Sequence, residues 1–238
     1  MRGLPRLPVL LLPALASCGT LGPPGGATEQ GRAIRALWDV FFWVGVGVAA
    51  VVYGLILWSV VRYRRRSDEL PPQVRVNIPL EIAYTLIPVL IVGVLFALTY
   101  RTESRVGRLV DDPALTVHVQ AFNWSWRFDY EDRGVSVFGT PEDPPELVLP
   151  AGRTVRLRLT ATDVIHSLYV PEFLFKRDAI PGHPNEFDIS IDEPGSYTGQ
   201  CAEFCGLDHA RMRFTIRALP PTEFDRWLER ASLEGAAR

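Results

Sequence analysis

Cys201-Ala-Glu203-Phe-Cys205-Gly-Leu-Asp-His209-Ala-Arg-Met212-Arg-Phe-Thr-Ile-Arg217 is a ligand-rich loop that runs directly into a strand. Two thiols, an imidazole and a thioether fall within one short loop. From Arg211 onward, polar and apolar side chains alternate with the period of two of a half-buried strand. A second imidazole lies upstream, in Asp163-Val-Ile-His166-Ser. Soft sulfur combined with imidazole suits copper. A mononuclear blue-copper site needs one Cys, so two Cys four residues apart imply two metal ions bridged by two sulfurs. Two other readings stay open here. Cys201 and Cys205 could form a disulfide in an oxidising compartment, although a disulfide requires neither histidine nor Met212. Zinc also takes Cys and His, but a thioether is a poor zinc ligand and leaves Met212 unexplained.

Similar alternation recurs upstream, in Thr116-Val-His-Val-Gln, Glu146-Leu-Val-Leu, Thr154-Val-Arg-Leu-Arg-Leu and Asn185-Glu-Phe-Asp-Ile-Ser-Ile. Turn residues punctuate these runs at Pro150-Ala-Gly152, Pro181-Gly182 and Pro194-Gly195. Many short strands with such turns predict a β-sandwich or barrel over residues 102–220. Pro220 and Pro221 introduce a short amphipathic helix, Thr222 to Arg230, so residues 221–238 read as terminal helix and tail.

The chain has 238 residues, 47% of them hydrophobic, and a net charge of −2. That length allows one domain plus membrane segments. Residues 1–101 carry 10 basic and 5 acidic side chains, and residues 102–238 carry 15 and 22. The acidic half favours a cationic partner and argues against nucleic acid. An apolar run from Phe41 to Val61, with Trp38, Trp43 and Trp58 near its ends, is long enough to span a bilayer. Arg62-Tyr63-Arg64-Arg65-Arg66 follows and should stay in the cytoplasm. A second apolar run covers Ile78 to Tyr100, so residues 37–101 predict a two-span hairpin with both ends outside. Residues 1–18 read as a secretory signal: a basic start, an apolar run from Leu7 to Leu15, then Ala-Ser-Cys18. Leu15-Ala-Ser-Cys18 resembles a bacterial lipobox, in which Cys18 would be lipidated; the alternative is a plain signal with a chance Cys. Residues 19–36, rich in Gly and Pro near their start, read as a linker.

The ligand loop resembles the binuclear copper (CuA) loop of subunit II of cytochrome c oxidase, and the likeness extends from the first membrane segment to the last helix. It implies an all-β, cupredoxin-like Greek-key domain behind a transmembrane hairpin, on the outer face of a bacterial cytoplasmic membrane. It implies two copper ions bridged by Cys201 and Cys205, with His166, His209, Met212 and the Glu203 carbonyl completing the ligand set. The Glu203 carboxylate would bind a magnesium shared with subunit I. Asn123-Trp124-Ser125-Trp126 resembles the family's aromatic segment, which makes Trp124 the residue that receives electrons from cytochrome c. The family usually has Gln and Tyr where this chain has Asn123 and Ser125. Trp124 and Trp126 could equally be core residues of one strand, pointing to the same face. Asp129, Glu131, Asp132 and Asp163 are candidate docking acids for cytochrome c. Glu81, in Glu81-Ile-Ala-Tyr-Thr-Leu-Ile-Pro88, matches a glutamate at the entrance of the proton pathway in subunit I, or else simply ends the span. Lys176-Arg177-Asp178-Ala-Ile-Pro181-Gly182 matches a segment near the magnesium interface, with His183 where Arg is common. His183 and His118 are read as structural or surface residues.

The function that follows is electron uptake from cytochrome c and delivery to the haem and copper of subunit I, where oxygen is reduced to water with proton pumping; subunit III is a further partner. The competing reading is a membrane-tethered copper carrier or assembly protein, which needs neither Trp124 nor Glu81. A quinol oxidase subunit would lack the copper ligands, and nitrous oxide reductase is much longer and soluble. No Cys-x-x-Cys-His occurs, so no haem is attached to this chain.

Overall fold

A computed structural model describes residues 22–65, 68, 73–131 and 133–236. The signal segment with Cys18, and Asp132, lie outside the described residues. Two long helices lead the chain, α1 (Glu29–Arg62) and α2 (Ile78–Val106), each long and apolar enough to cross a membrane. Their large apolar side chains, such as Leu57, Leu90 and Phe96, are exposed, as lipid-facing or subunit-facing helices require. Thr28 caps α1, its Oγ1 accepting the Gly31 N–H at 2.9 Å. Asn77 caps α2 through Leu80 N–H, and Pro79 sits in the first turn, where a missing N–H costs nothing.

α1 starts well inside the 19–36 stretch read as a linker. Its 34 residues make it roughly 50 Å long at 1.5 Å per residue, against ~30 Å of hydrocarbon. The excess is docked on the globular domain. Ala27 N–H donates to Glu172 O at 2.8 Å and Asp192 N–H to Ala27 O at 3.1 Å. Arg32 pairs with Asp192 of the sandwich, and Arg105 of α2 pairs with Glu29 at 2.7 Å, tying the two helices together there. Gly31 allows this fit: a Cβ there would lie 2.7 Å from Phe173 O. Helix boundaries follow caps and contacts as well as composition, which is why the Gly/Pro content ahead of Thr28 misplaced this one.

The globular part is a sandwich of two five-stranded sheets. One has the order β3 (Val135–Phe138), β2 (Ser125–Tyr130), β1 (Leu115–Phe122), β5 (Thr154–Ala161), β8 (Asn185–Ser190). The other has the order β4 (Glu146–Pro150), β10 (Arg213–Leu219), β9 (Gly195–Cys201), β6 (His166–Val170), β7 (Phe175–Ala179). The β1–β5 and β4–β10 pairs are parallel and the other pairs antiparallel. β1 and β5 alternate strictly between buried and half-buried positions, the pattern of a sheet with one face on the core. Trp126 and Phe128 from one sheet meet Phe214 of the other edge-on, at centroid distances of 5.3 and 6.0 Å. The buried Tyr130 hydroxyl donates to Val148 O at 2.9 Å and accepts from Val148 N–H at 2.8 Å, tying β2 to β4 across the sandwich. The terminal helix α3 (Pro221–Ala236) buries Phe224 and Leu228 and sets Trp227 against Tyr130.

β9 carries almost no apolar signal, and it is a strand because β10 and β6 pair with it on both sides. Its Gly199 is required by packing, because the ring of Phe214, its partner on β10, occupies the place a Cβ would take. Gly199→Ala is therefore expected to destabilise the fold by about 1–3 kcal/mol through overpacking. Thermal unfolding of the full chain checks this; an unchanged transition would mean the Phe214 ring can move aside.

The β1–β2 turn, the β5–β6 loop and the β9–β10 loop share one end of the sandwich. The foot of α1 docks at the other end, against Ile191 beyond β8 and the turn after β6.

Candidate metal centre

Three elements converge at the loop end. β6 begins with His166, which is 0% exposed; β9 ends with Cys201, 4% exposed; and the β9–β10 loop supplies Cys205, 6% exposed, and Met212, 0% exposed. The loop holds its shape through its own backbone: Cys201 N–H donates to Met212 O at 2.9 Å, Ala202 N–H to Ser167 O at 3.0 Å and Met212 N–H to His209 O at 3.3 Å. Gly206, at φ +115°, turns the chain in a conformation that L side chains rarely adopt.

The two sulfurs stand 3.9 Å apart and both cysteines are free. His166 Nδ1 is 3.9 Å from Cys201 Sγ, and His209 Nδ1 is 3.5 Å from Cys205 Sγ. Met212 Sδ lies 3.8 Å from Cys205 Sγ, and the Glu203 carbonyl lies 3.2 Å from Cys201 Sγ. Among the described residues, His166, Cys201 and Cys205 bring their ligand atoms close enough together to hold a metal ion. The six expected ligands are thus gathered around one sulfur pair. A tetrahedral zinc uses four, and neither zinc nor a disulfide accounts for the buried thioether. The donor set, soft sulfur beside imidazole, fits copper.

Electrostatics prepares the thiols for metal. Burial alone would raise Cys201, but hydrogen bonds from His166 and the loop backbone bring it down to about 6. Burial and the neighbouring Cys201 charge push Cys205 up to about 12. The pair therefore gives up one proton readily and the second only when a cation takes its place.

Trp124 and Trp126 do not share a strand. Trp126 is a fully buried core residue of β2, 6.4 Å from the His166 ring. Trp124 sits in the two-residue β1–β2 turn, packs over Gly206 and donates its indole N–H to Cys205 O at 3.0 Å. The turn, invisible to a period-two reading, leaves Trp126 in the core and sets Trp124 against the β9–β10 loop.

The described candidates for docking, Asp129, Glu131 and Asp163, are not gathered. Asp129 pairs with Arg127 at 2.8 Å and Glu131 with Arg158 at 3.0 Å. Asp129 is five residues from Trp124, roughly 17 Å along an extended strand. Asp163 lies behind His166, its Oδ1 2.9 Å from Nε2, and its other contacts are backbone N–H groups. Burial opposes ionisation of Asp163, but these hydrogen bonds hold its carboxyl below the usual range. Burial likewise opposes a charged His166, and Cys201 and Asp163 outweigh it, so its pKa is raised. The rim above the ligands is apolar, with Phe204 79% and Leu207 88% exposed. The Glu203 carboxylate is exposed and 3.3 Å from Lys176 Nζ. Glu81 lies in the first turn of α2 and accepts the Asn77 N–H at 3.3 Å. His118 bonds Thr160 on the outside of its sheet at 2.7 Å.

A buried Cys/His/Met site on a β-sandwich, carried by a two-span hairpin, defines a membrane-anchored cupredoxin-like protein. Residues 16–100 match the family model for the transmembrane domain of cytochrome c oxidase subunit II, and residues 140–219 match that for its periplasmic domain. The chain belongs to the cytochrome c oxidase subunit II family. The probable cytochrome c oxidase subunit 2 of Streptomyces coelicolor is 38% identical over 255 residues, covering 90% of this chain and 80% of that protein. Cytochrome c oxidase subunit 2 of Mycobacterium bovis is 31% identical, covering 88% and 74%. The crystal structure of the periplasmic domain of subunit II of cytochrome oxidase from Bradyrhizobium japonicum covers 53% of this chain and 99% of its own, with 33% identity and a TM-score of 0.48. This chain is therefore a subunit of an oxidoreductase, a two-span membrane protein with its sandwich on the periplasmic side, and it works with other oxidase subunits.

Proposed function

We propose that this chain takes electrons from reduced cytochrome c beside Trp124 and passes them to subunit I through a binuclear CuA centre held by His166, Cys201, Glu203 O, Cys205, His209 and Met212. The single observation that carries this reading is the gathering of four further donors around two unbonded sulfurs. A copper pair there would supply a one-electron redox couple. The protein's part is to hold the ligands still. β6, β9 and the β9–β10 loop lock them by backbone hydrogen bonds, and preorganisation of that kind limits rearrangement when charge changes. A copper carrier needs ligands that a partner can reach, and burial of His166 and Met212 opposes that.

Several further assignments belong to the same reading. The Glu203 carboxylate would bind a magnesium shared with subunit I by exchanging its Lys176 partner for the cation. Glu81, at the cytoplasmic end of α2, would stand at the entrance of the proton pathway. Asp129, Glu131 and Asp132 would guide cytochrome c, and subunit III would complete the complex. Residues 1–18 would be a leader, with Cys18 the lipidated first residue of the mature chain.

The test is an electron paramagnetic resonance spectrum of the full chain loaded with copper. A seven-line hyperfine pattern, one electron shared over two coppers, is expected. A four-line, single-copper pattern would shift the reading to a mononuclear or carrier protein.

A further inference from the structure

Asp163 stands where two parts of the site meet. Its Oδ1 is 2.9 Å from His166 Nε2 and accepts the Val164 N–H at 2.7 Å. Its Oδ2 accepts the Asn123 N–H at 2.7 Å. Asn123 and Trp124 form the β1–β2 turn, and the Trp124 indole N–H is bonded to Cys205 O. One carboxylate thus links a ligand imidazole to the turn that carries the conduit residue, and the indole closes the circuit back to the second bridging thiol. His166 presents Nδ1 to the sulfurs, which leaves Nε2 for this outer contact and fixes both ring orientation and tautomer. Only a carboxylate satisfies all three donors. An amide at this position has one acceptor oxygen, and its NH2 would face a donor on one side.

We propose that Asp163 is a positioning residue for electron uptake: it holds His166 against the metal pair and, through the Asn123 N–H, keeps the Trp124 turn in register with the copper ligands. This rests on the electron-relay reading above. It differs from a docking role in what it controls. A docking acid acts on encounter, so its loss raises KM and alters salt dependence. A positioning carboxylate acts after the donor is bound, so its loss lowers kcat at unchanged KM. It also moves the copper potential, because removing the negative charge behind His166 disfavours the oxidised state.

The experiment uses the purified oxidase complex carrying Asp163→Asn, with Glu229→Gln on the exposed face of α3 as a charge control. For Asp163→Asn the expected results are a roughly tenfold lower kcat with reduced cytochrome c, an unchanged KM, and a redox equilibrium shifted about tenfold toward reduction, equal to ~59 mV for one electron. Copper should also be lost about 10–100-fold more readily to a chelator. Asp163→Glu keeps the charge on a longer stem, so the potential should return while kcat stays low. A raised, salt-sensitive KM with wild-type kcat and potential would overturn the proposal in favour of docking, and unchanged behaviour throughout would overturn it outright. Should Asp163→Asn not assemble, Asp163→Glu decides: lowered kcat at constant KM supports the role, and wild-type kcat overturns it. All of these readouts are differences from the wild-type complex, so they decide Asp163 whether that complex shows two coppers or one.

Discussion

Cys205→Ser is expected to abolish the two-copper signal and to lower cytochrome c oxidation at least about 1000-fold, equivalent to ~4 kcal/mol in barrier. Cys205 joins half of the site to the sulfur pair: its sulfur lies 3.9 Å from Cys201, 3.5 Å from His209 Nδ1 and 3.8 Å from Met212 Sδ. Serine conserves volume, so the loop should still fold. Its hydroxyl is hard and stays protonated where a thiolate is needed, which leaves His209 and Met212 with no bridging partner. Copper stoichiometry and paramagnetic resonance together check this. A variant that retained one electron shared over two coppers would overturn the ligand assignment.

Trp124→Phe is expected to slow electron uptake from reduced cytochrome c at least tenfold, about 1.4 kcal/mol in barrier, while the copper spectrum stays as in the wild type. The substitution removes the N–H that bonds Cys205 O at 3.0 Å, and it shrinks the ring that packs over Gly206. Neither change touches a ligand atom. The lost hydrogen bond is worth only ~0.5–1.5 kcal/mol of stability, so folding is not at risk. Stopped-flow oxidation with the natural donor measures the effect, and wild-type turnover would remove Trp124 from the path.

The candidate ligands were legible in the chain because their chemistry belongs to the side chains themselves. A loop holding two thiols, an imidazole and a thioether points to soft metal before any coordinates exist. The hairpin was legible for a similar reason, since only length and apolarity matter for a span. What escaped depended on partners distant in sequence. Glu131 reads as a free surface acid until Arg158 of β5, two strands across the sheet from β2, lies 3.0 Å away. Asp163 reads the same way until a three-residue turn brings it beneath His166; the Asp-x-x-His spacing was the available clue. The Trp-Ser-Trp pattern implied one face because nothing local marks Asn123-Trp124 as the turn before β2. β7 and β9, short on apolar signal, exist as strands because their neighbours pair with them.

The docked foot of α1 has a consequence for distance. A sandwich on a slack tether would let its redox site swing, and tunnelling rates fall exponentially with separation, so an average over swinging positions would be erratic. Here one unbroken helix runs from Arg62 to a cap at Thr28 that is itself wedged against the sandwich through Ala27, Gly31 and Arg32. The metal loops then stand one strand-length from that wedge, ~25 Å for the eight residues of β5. On the electron-relay reading proposed above, the helix would work as a mast: it would convert the fixed depth of the membrane into a fixed height for the site, so that the hop toward a membrane-embedded partner would have the same length in every copy of the enzyme.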